Sequence, residues 1–156
     1  MTNDQSLRNH LVQFMGWGNA HLNFEDAVKD FPPASRGVRP AGAPHSAWEL
    51  LEHLRLALHD ILEFARNADH VSPQFPEGYW PATVAPPSDA AWDESVAAFR
   101  ADLRAFTDLA ADEGTDLHAL IPHGDGQTIL REILLAADHN AYHLGQLVMV
   151  RRMVDK

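Results

Sequence analysis

At 156 residues and 46% hydrophobic content the chain fits one folded domain, and no run approaches the roughly 18 apolar residues of a membrane helix. Cysteine is absent, which excludes disulfides, thiolate metal sites and a protein thiol nucleophile; a metal would have to sit on nitrogen and oxygen, and any reacting sulfur would come from a small molecule. The formal charge of -10, from 22 acidic and 12 basic residues, argues against nucleic-acid binding, which draws its affinity from Lys and Arg on phosphates.

In chain order, the polar start MTNDQSLRNH lacks a positive flank followed by an apolar run, so a signal peptide is not expected and a cytoplasmic location is the default expectation. Helical periodicity with Leu7, Leu11, Phe14, Leu22 and Phe24 predicts a first helix from about Gln5 to about Asp30. Gly16 and Gly18 weaken its middle, each by roughly 1 kcal/mol relative to alanine, which predicts a bend or a close helix contact there. Phe31-Pro32-Pro33 ends it, and an irregular loop runs to Pro44. Ser46 and Glu49 have the spacing of a capping box, and Trp48, Leu50, Leu51, Leu54, Leu58, Ile61 and Leu62 carry a second helix to about Asn67.

A loop rich in proline follows. Its aromatics Phe75, Tyr79 and Trp80 predict that it packs on the rest of the molecule. Ser88 caps a third helix through Trp92, Val96, Phe99, Leu103, Phe106 and Leu109, with Gly114 near its end. Residues 121–126, IPHGDG, read as a tight turn, and a fourth helix runs from about Thr128 to about Met153, with Arg151 and Arg152 near its end complementing the helix dipole. No alternating strand pattern of useful length is present. The expected fold is an all-α four-helix bundle in a single domain spanning residues 1–156. The roughly 19-residue loop between helices two and three can span up to about 60 Å, long enough to cross the bundle, so parallel and alternating orders both remain open.

Ten histidines is a high count for this length. His10, His21, His59, His70 and His118 lie beside polar residues and read as surface or satisfied side chains. His139 and His143 stand four apart on one face of the last helix, where Ala136 and Leu147 at comparable angles are apolar, so both rings are expected to face inward. A buried imidazole needs partners, and a shared metal ion supplies them. Taken alone, such a pair is as readily two core histidines bonded to backbone or carboxylate. A zinc-like site needs a third protein ligand, and His53, between Leu50 and Leu54 on the apolar side of helix two, is the candidate. Three neutral nitrogens leave the ion its full double charge and an open position, a catalytic rather than a closed structural arrangement, and such a donor set suits zinc, nickel, copper or iron.

These residues carry a resemblance. The run HSAWELLEHLRLALHDILEF with His53, the run LREILLAADHNAYHLGQLVMVRR with His139 and His143, and the HGDGQT turn between resemble the DinB-like superfamily of metal-dependent enzymes over nearly the whole chain. The resemblance implies a four-helix bundle with a three-histidine metal site, nickel or zinc most often, and pairing into a homodimer. The family includes enzymes that use low-molecular-weight thiols, so it also implies a thiol-dependent S-transferase or isomerase acting on a small-molecule substrate, with a low-molecular-weight thiol as cosubstrate.

Two other functions stay open beside it. A metal-dependent hydrolase would need a base near the ion, for which Asp138, Glu132 and Asp60 are candidates, each more commonly a supporting or surface carboxylate. A non-catalytic metal- or ligand-binding bundle is the other. His45 and His123, in loops at helix starts, are candidate substrate contacts whose commoner role is loop hydrogen bonding, and Trp17, Trp48, Tyr79 and Trp80 are aromatics at spacings more usual for core than for a pocket.

Overall fold

The computed structural model describes residues 1–16 and 20–154. Among these the elements are α1 (Asn3–Met15), α2 (Phe24–Val28), α3 (Ala47–Arg66), α4 (Asp89–Ala111) and α5 (Ile129–Val154), with short 3-10 turns at Pro33–Ser35 and Glu77–Tyr79. The fold is all-helical; the extended pairing among the described residues is one isolated antiparallel bridge between Leu120 and Thr128. None of these helices is long and apolar enough to cross a membrane.

The helix boundaries follow from side chains that satisfy free backbone groups. Thr2 and Gln5 form a reciprocal capping box that starts α1 at Asn3, two residues ahead of the expected Gln5. Ser46 and Glu49 form the expected one at α3, and Ser88 caps α4 by accepting from the Ala91 N–H. The long first helix is a correction. Regular structure stops at Met15, and a new helix starts at Phe24 because the Asn23 side chain accepts the Asp26 N–H. An Asx cap there competes with helix continuation, and the glycine-weakened stretch before it gives the helix little to oppose it. Gly16 is the C-cap of α1; Trp17 and Gly18 lie outside the described residues.

Side-chain contacts give the relative directions. Along α3 and α4, Glu52 lines a surface pocket together with Ser95, and His59 Nδ1 pairs with Asp102, so the two helices run parallel. His53 meets His139 and His143, whereas Phe64, further along α3, meets His123 ahead of α5, so α3 and α5 are antiparallel. Arg8 of α1 donates to the carbonyls of Ala110, at the end of α4, and of Asp112 and Thr115 just past it, whereas Phe24, beyond the end of α1, stacks on Phe99 further back along α4, so α1 and α4 are antiparallel as well. The order is therefore up, down, down, up, and the connection from Asn67 to Ser88 is a full crossover along the bundle. Its fixings include the Ser46 hydroxyl donating to the Val84 carbonyl at 2.5 Å and the Trp48 indole N–H donating to the Thr83 hydroxyl at 3.2 Å.

Leu50, Leu51, Leu54, Leu58 and Leu62 of α3, Phe99 and Phe106 of α4, and Ile133, Leu144 and Leu147 of α5 fill the centre and are almost completely buried. Full burial of each such side chain is worth about 1.5–3 kcal/mol. Arg151 stands in the last turn of α5, as expected, and there it also donates to the Asp26 and Ala27 carbonyls and lies over the Phe31 ring, so it ties α2 to the end of α5.

Candidate metal centre

Between α3 and α5 the apolar packing is interrupted by three imidazoles. His53 is 8% exposed and follows Leu50 and Leu51 into the bundle, while His139 and His143 occupy the strip of α5 bounded by the fully buried Ala136 and Leu147. The inward expectation for both helices holds. His53 Nε2 lies 3.0 Å from His143 Nε2 and 3.1 Å from His139 Nε2, and one ring nitrogen from each histidine falls within 4.8 Å of the others.

The outer ring nitrogens identify the free ones. His53 Nδ1–H donates to the Tyr79 carbonyl at 2.8 Å, and His143 Nδ1–H donates to Gln146 Oε1 at 2.7 Å. Each of these rings therefore turns an unprotonated Nε2 toward the other, with no proton between them to share. Burial, then the adjacent rings, pushes His139 down to about 4 from the ordinary 6.5, and burial, then His53, does the same to His143. Burial lowers His53 too, with its bond to Tyr79 acting in the opposite sense. All three are neutral at neutral pH. Lone pairs facing at this distance repel unless a cation lies between them. Nitrogens held about 2.0–2.1 Å from a tetrahedral zinc would themselves lie roughly 3.3 Å apart, close to the spacing here. The donor set thus fits a divalent ion of the zinc or nickel type.

The crossover supplies the cover. A 3-10 turn at Glu77–Tyr79 brings the Tyr79 carbonyl over α3; Gly78 is required in it, since a Cβ there would fall 2.6 Å from the Pro73 Cβ. Asp60 anchors the same turn, accepting from the Tyr79 hydroxyl at 2.6 Å and pairing with His70 Nε2 at 2.7 Å. Burial and then Asp60 raise the Tyr79 phenol to about 12, so it remains a donor. The Trp80 ring lies flat on His53, with centroids 4.0 Å apart and planes 3° from parallel, and it stacks on His45 as well at 4.1 Å.

The other candidates separate cleanly. His45 adjoins the cluster through Trp80, whereas His123 is pinned to the Phe64 carbonyl at 2.7 Å, its loop-bonding role. Asp60 has both oxygens engaged, Glu132 is buried against the Arg131 guanidinium at 2.7 Å, and Asp138 is exposed to solvent. Trp48 is core. Trp80 is the aromatic that sequence reasoning passed over: the expectation that the loop's aromatics pack on the bundle holds for Tyr79 and Trp80 but not for Phe75, which is 81% exposed, and no periodicity marks which ring in an irregular segment meets a histidine. Gln146 was missed although it stands three residues after His143, on the same helix face.

No curated protein and no solved structure is detectably similar to the chain. The family model described as the DinB superfamily matches residues 19–147, a span that contains all three histidines, the whole of α3 and α5 as far as Leu147. The chain belongs to the DinB superfamily.

Proposed function

We propose that His53, His139 and His143 hold a divalent metal ion, nickel or zinc, and that this single-domain protein is a cytoplasmic, homodimeric enzyme transferring or isomerising small molecules with the help of a low-molecular-weight thiol. The observation that carries the reading is the convergence of neutral imidazole nitrogens from two helices, two of them oriented by bonds to Tyr79 and Gln146. Three nitrogen donors without a carboxylate leave the ion's charge uncompensated, which favours an anionic sulfur ligand at the open position. When bound, the ion would act as a Lewis acid that lowers the pKa of the incoming thiol and so supplies a thiolate at neutral pH. Tyr79 and Gln146 hold His53 and His143 in one tautomer, and Trp80 excludes water on its side. Hydrolysis, by contrast, would call for a carboxylate base, and both Asp60 and Glu132 are committed to other partners.

Elemental analysis of protein assembled in nickel- and zinc-replete medium tests the metal. One ion per chain is expected in the wild type and strong depletion in His143→Ala; an empty wild type overturns the reading. Conjugation of a model electrophile that needs both the ion and an added thiol supports the transferase. Turnover without thiol would replace it with hydrolysis, and a loaded protein inert in both assays with no exchangeable ligand would leave a binding bundle.

A further inference from the structure

An apolar cavity of about 370 Å3 opens beside the histidine cluster, lined chiefly by Pro44, His45, Leu50, Tyr142, Gln146 and Met149. Three of its wall residues reach the cluster. Gln146 accepts from His143, the Tyr142 ring meets His143 edge-on at 4.8 Å, and His45 stacks on the same Trp80 that covers His53. Its outer wall keeps large apolar groups in water, with Tyr142 65% and Met149 55% exposed. Gly145 also lines it, in the interior of α5, where glycine costs roughly 1 kcal/mol relative to alanine. A Cβ at Gly145 would meet nothing within 4 Å, so no close packing and no unusual backbone angle requires the glycine. What the missing side chain does is leave the cavity open.

We infer that this cavity receives the hydrocarbon part, an alkyl chain or a single aromatic ring, of a substrate whose reactive polar atom faces the three histidines. The volume lies in the range of small-molecule pockets and is too small for a docked helix. His45 and Gln146 are the polar groups where cavity and cluster meet, and the Nδ1 of His45 has no hydrogen-bond partner among the described residues. The inference rests on the metal reading for the direction of the substrate, but the cavity can be probed separately from it.

Two probes distinguish the outcomes, both on the full-length, metal-loaded protein. The neutral fluorophore N-phenyl-1-naphthylamine reports the cavity alone: one site per chain is expected, weakened at least tenfold in Gly145→Trp. Ethanethiol, butanethiol and hexanethiol, titrated into the cobalt-loaded protein and followed by the sulfur-to-cobalt absorption, report cavity and ion together. Affinity should rise about fourfold per methylene in the wild type and stay flat along the series in Gly145→Trp. Fluorophore binding that is absent, or unchanged by the tryptophan, overturns the inference. Thiol binding with no dependence on chain length overturns it as well. A fluorophore site without any thiol absorption keeps the cavity and defeats the metal-thiol reading instead. If Gly145→Trp loses its helical circular dichroism, Met149→Glu places a charge on the same wall from an exposed position. A wild-type dimer that excludes the fluorophore and falls apart in Met149→Glu would show that the face is covered by a second copy and would overturn the proposal.

Discussion

Two of the three imidazoles of the cluster, His53 and His143, do two jobs with two nitrogens. In each of them the inner one is kept free of a proton and the outer one is bonded so that the ring cannot swing away, whereas the buried Nδ1 of His139 has no hydrogen-bond partner among the described residues. For His143 the outer partner is Gln146, whose amide oxygen takes the Nδ1 proton at 2.7 Å. Such partners fix the tautomer and raise the basicity of the donor, and their loss typically costs 10–100-fold in metal affinity. Gln146→Leu keeps the volume and removes the acceptor. We expect its affinity for zinc to fall roughly 10–100-fold while helical circular dichroism is unchanged, measured by competition against a chromophoric chelator. Unaltered affinity would mean that Gln146 leaves His143 unguided. The residue was within reach of the sequence because i and i+3 positions share a helix face. The Tyr79 carbonyl was not, since backbone atoms of a loop carry no side-chain signature.

The α-helices of this molecule start where a hydroxyl or amide side chain caps them. Ser46 is the clearest instance, because its Oγ accepts the Glu49 N–H at 3.2 Å and donates to the Val84 carbonyl at 2.5 Å, joining the start of α3 to the end of the crossover. Ser46→Ala removes both bonds from a fully buried site and should destabilise the fold by about 1–2 kcal/mol, read as a lowered denaturation midpoint with an unchanged slope. A loss below a few tenths would show that the cap is dispensable. The three caps at Ser46, Ser88 and Asn23 obey the same rule, yet only the first two stand at the head of long amphipathic runs and were recognised. Asn23 lies inside a run of apolar spacing that local reading continues to Asp30, and its capping bond to Asp26 decides against that.

For the whole molecule, the parallel placement of α3 and α4 obliges the chain to travel the length of the bundle between them, and that traverse carries Tyr79 and Trp80 over His53. The enclosed cluster then has a consequence for stability. In the unfolded chain a histidine titrates near 6.5, whereas folded His139 and His143 are held down to about 4. Between those values the unfolded state binds more protons than the folded one, so stability falls as pH drops. The contribution is complete above pH 6.5 and is lost progressively toward pH 4. Metal-free protein should therefore melt at lower temperature at pH 5 than at pH 7, and His139→Phe should flatten that dependence. An equally steep curve in the variant would place the acid sensitivity elsewhere.

What the sequence by itself determined is whatever repeats at short range: the helical class, the starts of α3 and α4, the two imidazoles one turn apart on α5, and the inward position of His53 beside Leu50 and Leu54. Each follows from a period of 3.6 residues or a cap within three residues, distances over which chain geometry is set by neighbours alone. The tertiary structure decided the direction of the crossover, the Trp80 cover, the Asp60 anchor of Tyr79 and the cavity beside His45. These contacts join residues 19 to 90 positions apart, and loop-closure and packing energies, not local preference, choose among them.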